Sequence, residues 1–275
     1  MLALDPYASK ERVGFYLKLF AGDSKAHVGE RLSAGTRYGA MIREKLRAGG
    51  IPEEFLYLAL IESGYDPHAY SSAAAVGMWQ FMTGTARGAG LRVDWWIDER
   101  RDPVRATDAA IRYLTDLRGQ FGSMYLAAAA YNSGSGTVSR GLSRLTQSLQ
   151  GTEPDDKYFA LASTNLLRAE TKNYVPQLIA AALIGREPLA YGITVDTQPP
   201  FVFDSVTVPG ATSLGAVARA CGVGVRDILD FNGQVLRGMT PPDGPDIWLR
   251  VPPDCAPTFG ESFAALDSAE RLGAS

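Results

Sequence analysis

Residues 61–82 read IESGYDPHAYSSAAAVGMWQFM and place a carboxyl group, Glu62, between an apolar segment and a loop with glycine, aromatic and amide side chains. Upstream, GGIPEEFLYLAL predicts a helix with Pro52 at its first position and Gly64 as its C-terminal stop. Glu62 then lies in the last turn, where the helix dipole and the apolar neighbours both disfavour negative charge. We therefore expect a raised pKa, which suits a general acid.

The overall composition is that of an ordinary globular protein. Of 275 residues, 46% are hydrophobic and 21% are charged, and the net charge is −3. Without a basic patch, a nucleic-acid partner is not expected. No apolar run has the length of a transmembrane helix, and the N-terminus lacks the basic and apolar regions of a signal peptide. Cys221 and Cys255 are compatible with a disulfide or with two thiols, and His27 and His68 are isolated. No zinc site or other cofactor is expected.

Residues 1–190 predict a mainly α domain with an N-terminal helical extension. Asp102-Pro103 begins one helix as N-cap and first residue, and apolar residues follow at helical spacing. Two further helices are expected at about 122–131 and 173–185. The first contains four consecutive alanines, which permit close approach of another helix.

The pattern changes after a proline-rich linker at 191–200. From Phe201 it predicts a strand, two helices and a strand, so that residues 201–253 form a small β-α-α-β module. Residues 254–275 are assigned as a tail in which 261–272 are compatible with a helix. The linker is expected to separate two independent cores.

Polar and aromatic side chains recur in motifs along the helical domain. Hydroxyls and amides bond the substituents of a sugar chain, and aromatic rings stack on its faces. The motifs supply Ser71 and Ser72, Gln80 in GMWQFM, Tyr131 and Asn132 in AYNSGSG, and Glu170 with a second tyrosine in RAETKNYVP. Any one of these is more often structural, and Met78, Trp79, Phe81 and Met82 would usually be core.

Together, in this order and spacing, the motifs resemble the goose-lysozyme-like soluble lytic transglycosylase family. The resemblance runs from about Glu11 to Gly192. It includes MIREKLRAGGIPEEFLYLALIESGYDP, GMWQFM, WWIDERRDP, AYNSGSG and ET-x-x-YVP. It implies a lysozyme-like fold and an enzyme that cleaves the MurNAc–GlcNAc bond of peptidoglycan without water, which leaves 1,6-anhydro-MurNAc ends.

The resemblance also implies residue roles. Glu62 takes the place of the family's catalytic glutamate, acting first as acid and then as base. The expected substrate-binding residues and residues that orient the carboxyl are Ser71, Gln80, Met82, Tyr131, Asn132 and Glu170. One position departs from the pattern: Ala74 stands where the family often has glycine, which places the loop geometry in question but not the chemistry.

Residues 201–253 are similar to a LysM domain. The order of Leu214, Ala218, Asn232 and the Val-Pro pair at 251–252 fits, whereas VPGATSLGAVA departs from the usual sugar-binding sequence. The fold is therefore expected to be retained, and the module is compatible with either glycan binding or packing.

Two other functions compete with the transglycosylase. A hydrolytic muramidase needs a second carboxylate, at about 5–5.5 Å in a retaining enzyme or about 6.5–9.5 Å in an inverting one. The candidates are Asp66, Asp94, Asp98, Glu99 and Asp102, but no motif supports any of them. The charges of WWIDERRDP more readily form a structural ion-pair network. The other alternative is a catalytically inactive cell-wall-binding protein. It is less favoured because every position expected to be catalytic carries the expected residue.

The substrate determines the remaining expectations. Peptidoglycan lies outside the cytoplasmic membrane, so we expect the protein in the periplasm or cell envelope. Its expected partners are peptidoglycan glycan strands, and it is expected to be a monomer.

Overall fold

The computed structural model describes residue 2 and residues 4–272 of the chain, which divide into two compact units. The first comprises Met1–Tyr65 and Thr107–Pro199, and the second comprises Asp66–Ala106 and Pro200–Ser275. The chain therefore leaves the first unit after Tyr65, returns to it at Thr107, and enters the second unit again at Pro200.

The first unit is built from helices. They are α1 Glu11–Ala21, α2 Lys25–Ala48, α3 Leu56–Ser63, most of α5 Pro103–Phe121, α6 Met124–Ser133, α7 Ser135–Arg144, α8 Pro154–Ala162 and α9 Ala169–Arg186. Short 3₁₀ helices occupy Asp5–Tyr7, Glu53–Phe55 and Pro188–Tyr191. The three predicted helices are confirmed as α5, α6 and α9.

The core of this unit forms around α9, whose middle is buried on all sides. Helices α1, α3 and α6 all contact it. The alanines at 127–130 of α6 are fully buried, as the predicted close helix–helix approach requires. Small side chains at such a contact let two backbones come close together while still filling the interior.

Helix α9 begins at Ala169, four residues before the predicted start at 173, and it continues through Pro176. A proline inside a helix leaves the carbonyl four residues earlier without its N–H partner. Here that carbonyl belongs to Lys172, and the hydroxyl of buried Tyr158 on α8 donates to it at 3.0 Å. The same hydroxyl lies 3.2 Å from the Thr171 carbonyl. The helix therefore continues through the proline because a neighbouring helix supplies the missing donor.

The predicted linker is bonded to α2 along part of its length. The Asp196 N–H donates to Ser33 Oγ at 2.9 Å, and the Gln198 N–H donates to Thr36 Oγ1 at 2.9 Å. These two hydroxyls lie on one face of α2 because they are three residues apart. Residues 196–198 thus lie along α2 as part of the first unit.

The second unit combines a loop-rich segment with the predicted module. Its elements are α4 Thr83–Gly88, a 3₁₀ helix at Glu99–Arg101, β1 Asp204–Val208, α10 Leu214–Cys221, α11 Val225–Phe231, β2 Ile247–Val251, α12 Ala256–Ala264 and α13 Ser268–Leu272. The predicted β-α-α-β order is confirmed. Strands β1 and β2 are antiparallel, with Val206 opposite Leu249.

Residues after 253 contribute to the core of the module. Phe259 and Phe263 on α12 are buried together with Leu214, Val217 and Leu249. A disulfide joins Cys221 at the end of α10 to Cys255, with 5.2 Å between the two Cα atoms. The open choice between a disulfide and two thiols is thereby settled as a disulfide. The boundary drawn at 253 from the sequence remains a prediction.

Over residue 2 and residues 4–272, no helix has the length and apolar character needed to cross a membrane.

Candidate active site

Glu62 is the penultimate residue of α3, a helix whose first five residues are all buried. Gly64 ends the helix in the left-handed conformation, with φ 68° and ψ 33°, and its N–H donates to the Leu60 carbonyl. Glycine is favoured there because it has no Cβ. The predicted stop and the predicted last-turn position of Glu62 are confirmed.

The pKa of Glu62 is raised to about 7, first of all because burial disfavours the carboxylate. The Tyr174 hydroxyl donates a hydrogen bond to Glu62 Oε1 and opposes this rise. The negative charge of Glu170 adds a smaller increase. A carboxyl group with this pKa is both protonated and ionised in substantial amounts near neutral pH, as a group that gives and then recovers a proton requires. The expected rise in pKa is confirmed.

Two tyrosines surround the carboxyl group, one from α6 and one from α9. Burial raises the pKa of both Tyr131 and Tyr174 well above the usual value, and the charge of Glu62 raises each further. Both hydroxyls therefore stay protonated and able to donate. The orienting role assigned to Tyr131 from the sequence remains a prediction, and Tyr174 donates a hydrogen bond to Glu62. Tyr174 was not among the predicted site residues, although the ET-x-x-YVP motif contains it.

Asn132, near the C-terminal end of α6, bonds two residues near the N-terminal end of α9. Its Nδ2 donates to Glu170 Oε1 at 3.0 Å, and its Oδ1 accepts from Thr171 Oγ1 at 2.9 Å. Thr171 is buried, whereas Glu170 is exposed. The amide is thus held at both ends, and it fixes the direction of an exposed carboxylate in the same unit as Glu62.

Ser71, Gln80 and Met82 belong to the second unit, where they lie in one folded loop. Ser71 Oγ accepts from the Ala75 N–H at 3.0 Å. Gln80 has a φ of 50°, and its side-chain Nε2 donates to the Gly77 carbonyl at 2.8 Å. A left-handed conformation at a residue other than glycine is strained and is often found at functional sites. The loop therefore fixes the backbone and the side-chain amide of Gln80.

The four apolar residues of GMWQFM divide between core and surface. Met78, Trp79 and Phe81 are buried, as expected of core residues, but Met82 is 47% exposed. Met82 also precedes α4 as its N-cap residue. A methionine so exposed beside three buried neighbours is accessible to a ligand. The binding roles of Ser71, Gln80, Met82, Tyr131, Asn132 and Glu170 remain predictions.

The carboxylates considered for a second catalytic group are engaged in structural contacts within the second unit. Asp94 pairs with Arg92 at 2.6 Å, Asp98 with Arg100 at 2.8 Å, Glu99 with Arg105 at 3.1 Å and Asp102 with Arg250 at 2.7 Å. Asp66 accepts from the His68 N–H. The interpretation of the WWIDERRDP charges as a structural ion-pair network is confirmed. Within the described part of the chain, no three His, Cys, Asp or Glu side chains cluster in a way that would hold a metal ion.

The comparisons with known proteins agree with this arrangement. Residues 40–150 match the family described as the transglycosylase SLT domain. This part of the chain is therefore similar to the transglycosylase SLT domain. Residues 202–268 match the LysM-like domain of lytic transglycosylase MltD, so the second match extends past the predicted end of the module and includes α12.

Two curated relatives illustrate the extent of the similarity. The chain is 32% identical over 230 residues to membrane-bound lytic murein transglycosylase D of Escherichia coli (strain K12), which covers 83% of this chain and 49% of that protein. It is 38% identical over 104 residues to peptidoglycan transglycosylase gp16 of Escherichia phage T7, covering 37% of this chain and 8% of that protein. The chain thus spans about half the length of the first relative.

A solved structure shares the fold of the SLT domain. The 70-kDa soluble lytic transglycosylase in complex with bulgecin A aligns with a TM-score of 0.50 and 23% sequence identity, over 70% of this chain and 31% of that chain. Together with the two family matches, this confirms the predicted mainly α, lysozyme-like domain followed by a LysM-like module.

Proposed function

We propose that this protein is a peptidoglycan lytic transglycosylase. It cleaves the β-1,4 bond between MurNAc and GlcNAc without water and leaves 1,6-anhydro-MurNAc ends. The observation that supports this most directly is the carboxyl group of Glu62, which has a pKa of about 7 and accepts a hydrogen bond from Tyr174. The named relatives that act on murein or peptidoglycan support the choice of substrate.

In the first step, protonated Glu62 donates its proton to the glycosidic oxygen as the bond from that oxygen to the anomeric carbon breaks. Glu62 becomes a carboxylate. The Tyr174 hydroxyl stabilises the new charge because a hydrogen bond to the charged form favours it. The leaving GlcNAc departs with the proton as its free hydroxyl.

In the second step, the Glu62 carboxylate removes the proton from the C6 hydroxyl of the same MurNAc. The C6 oxygen bonds to the anomeric carbon and closes the anhydro ring. Glu62 is protonated again, so that no water is consumed. Attack within one ring is favoured because effective molarities of well-oriented groups reach about 10⁵–10⁸ M.

Hydrolysis is the less favoured outcome, because it requires a carboxylate that positions and activates a water molecule. The candidates Asp94, Asp98, Glu99 and Asp102 are each paired with an arginine, which supports their structural role. The product distinguishes the two reactions. Mass spectrometry of muropeptides released from purified sacculi should give anhydro ends, whereas a hydrolase would give reducing ends that are one water heavier. Predominantly reducing ends would reject the proposal.

We further propose that the protein acts in the periplasm or cell envelope, on glycan strands, as a monomer. The Cys221–Cys255 disulfide supports an oxidising compartment, because such bonds persist outside the reducing cytosol. Thiol labelling of the protein in intact cells would test the location. A reduced pair would count against the envelope.

A further inference from the structure

The segment that contains GMWQFM and WWIDERRDP is bonded to the LysM-like module through its backbone. The Asp98 N–H donates to the Gln234 carbonyl at 2.9 Å, and the Leu236 N–H donates to the Trp96 carbonyl at 2.9 Å. Between these bonds, Ile97 forms a bridge with Val235 and is buried in the core of the module. A segment from the SLT domain sequence thus completes the core of the LysM-like module.

A buried ion pair joins the same two parts of the chain. Arg250 Nη1 on β2 contacts Asp102 Oδ2 at 2.7 Å, and the two side chains are 1% and 4% exposed. The other oxygen of Asp102 accepts from the N–H groups of Val104 and Arg105 at the start of α5. Both oxygens of this carboxylate are therefore used, and among the described residues Arg250 is the one that pairs with its charge. A buried charge that loses its partner is strongly destabilising.

On the side of the module, Asn232 holds the contacting residues together. Its Oδ1 accepts from the Arg250 N–H at 2.9 Å and from Gln234 Nε2 at 3.3 Å, and its Nδ2 donates to the Arg250 carbonyl at 2.7 Å. Asn232 is fully buried. The residues that bond Asp98 and Asp102 are thus fixed relative to each other.

On the side of the SLT segment, Arg100 links Asp98 to the GMWQFM loop. It forms a buried pair with Asp98, and its Nη1 donates to the Phe81 carbonyl at 3.1 Å. Phe81 lies between Gln80 and Met82 in the sequence. Contacts therefore lead from the module, through Gln234, Asp98 and Arg100, to the backbone between Gln80 and Met82.

We propose that the LysM-like module acts as an internal support that holds the Gln80–Met82 loop in its binding conformation, with Arg250 as a positioning residue. This role adds to or replaces glycan binding by the module itself. It rests on the proposed function for the identity of the ligand that Gln80 and Met82 contact. Arg250 does not touch the substrate and acts only through the loop.

The test compares Arg250→Met with Arg226→Met in the whole 275-residue chain. Arg226 is an exposed arginine of the same module and provides the matched control. Hydrogen–deuterium exchange followed by mass spectrometry measures the protection of residues 77–105. We expect Arg250→Met to speed exchange in this segment, with no change in α6 and α9, and we expect Arg226→Met to match the wild type.

A second variant separates the charge of Asp102 from the general effect of altering the module. In Arg250→Met with Asp102→Ser, serine retains an N-cap acceptor for α5, and no unpaired buried charge remains at position 102. We expect slow exchange in residues 77–105 to return. If this double variant exchanges as fast as Arg250→Met, or if Arg250→Met alone is as protected as the wild type, the proposal is rejected.

Activity on purified sacculi provides the second readout. Misplacement of a binding group by about 1 Å can cost about 10²-fold in rate, so kcat/KM should fall by up to that factor in Arg250→Met, mainly through KM. The pH at which activity falls should not move, because Glu62 and Tyr174 remain as they are. An unchanged KM would also reject the proposal. A wild-type protein that releases no muropeptides would instead reject the proposed function, and the exchange experiment would still decide the supporting role.

Discussion

Tyr174 donates a hydrogen bond to Glu62 across 112 positions of sequence. This bond joins the N-terminal part of α9 to the end of α3, and it places a neutral hydroxyl on a carboxyl group whose pKa is already raised by burial. The bond has a larger effect on the charged form than on the neutral one. It therefore matters most after Glu62 has given up its proton.

Replacing Glu62 with glutamine should abolish cleavage of sacculi while the fold is retained. The amide has nearly the same shape but cannot donate and recover a proton. Muropeptide release measures the activity, and circular dichroism measures the fold. Residual turnover above a few per cent of the wild type would remove Glu62 from its proposed role.

The same variant should change the pH dependence of stability. In the folded state the pKa of Glu62 is about 7, above its ordinary value of 4.5, so the folded protein keeps a proton that the unfolded chain loses between these pH values. Stability of the wild type therefore falls as pH rises from 4.5 to 7. Glu62→Gln should be more stable than the wild type at pH 8, by roughly 1–3 kcal/mol, and much closer to it at pH 4. Urea unfolding at both pH values gives this comparison, and a difference that does not depend on pH would contradict it.

Replacing Tyr174 with phenylalanine should lower turnover by up to about 10²-fold, because the carboxyl group loses the bond that orients it. It should also move the pH at which activity declines to a higher value, since this hydrogen bond lowers the pKa of Glu62. Tyr131→Phe is the matched comparison. It should lower turnover with little change in the pH profile. Equal shifts in the two variants would show that Tyr174 has no specific role.

Gly77 should tolerate no side chain. Its φ is 83°, and a Cβ atom would lie 1.9 Å from the Arg100 carbonyl oxygen. Gly77→Ala should therefore cost more than about 2 kcal/mol of unfolding free energy. Gly84→Ala is the control, since a Cβ meets no atom within 4 Å there and the residue lies in α4. It should be neutral or stabilising by up to about 1 kcal/mol. Thermal unfolding of both variants measures the change in stability. Equal losses of stability in the two variants would refute the steric argument.

The bond from Tyr158 to the Lys172 carbonyl can be tested by a double-mutant cycle with Pro176. Tyr158→Phe should cost about 1–3 kcal/mol, because it leaves a buried carbonyl unpaired. Pro176→Ala restores an N–H at the position that can bond this carbonyl, so the same tyrosine change should cost less in that background. Urea unfolding of the four proteins measures the coupling. A cost that is the same in both backgrounds would mean that the hydroxyl does not compensate for the proline.

The local features of the site could be predicted from the sequence. The stop at Gly64, the last-turn position of Glu62 and its raised pKa all depend on residues that are close together along the chain. The same holds for Asp102 as the cap of α5. These predictions succeed because helix ends are determined largely by the few residues around them.

Other features depend on partners far away in the sequence, and no local pattern identifies them. No sequence pattern around Asp102 indicates that it pairs with Arg250. Likewise, none around Tyr174 indicates that it bonds Glu62. Whether Cys221 and Cys255 form a disulfide also depends on the distance between them in space, which the sequence does not give. Ala74 is an intermediate case. Its φ of 63° is a left-handed conformation that glycine adopts more readily, and the sequence alone could not show that this alanine adopts it.

The discontinuous second unit sets an order of events during biosynthesis. Asp102 and Arg250 are 148 residues apart, so at about 5–20 residues per second the ribosome needs roughly 7 to 30 s to deliver the arginine after the aspartate has emerged. During that interval the segment before α5 has no module to pack against. A polypeptide that ends between residues 192 and 233 would contain every motif of the SLT domain and still lack the residues that bond this segment. Maturation of the Gln80–Met82 loop is therefore a late event, tied to the synthesis of residues 234–250.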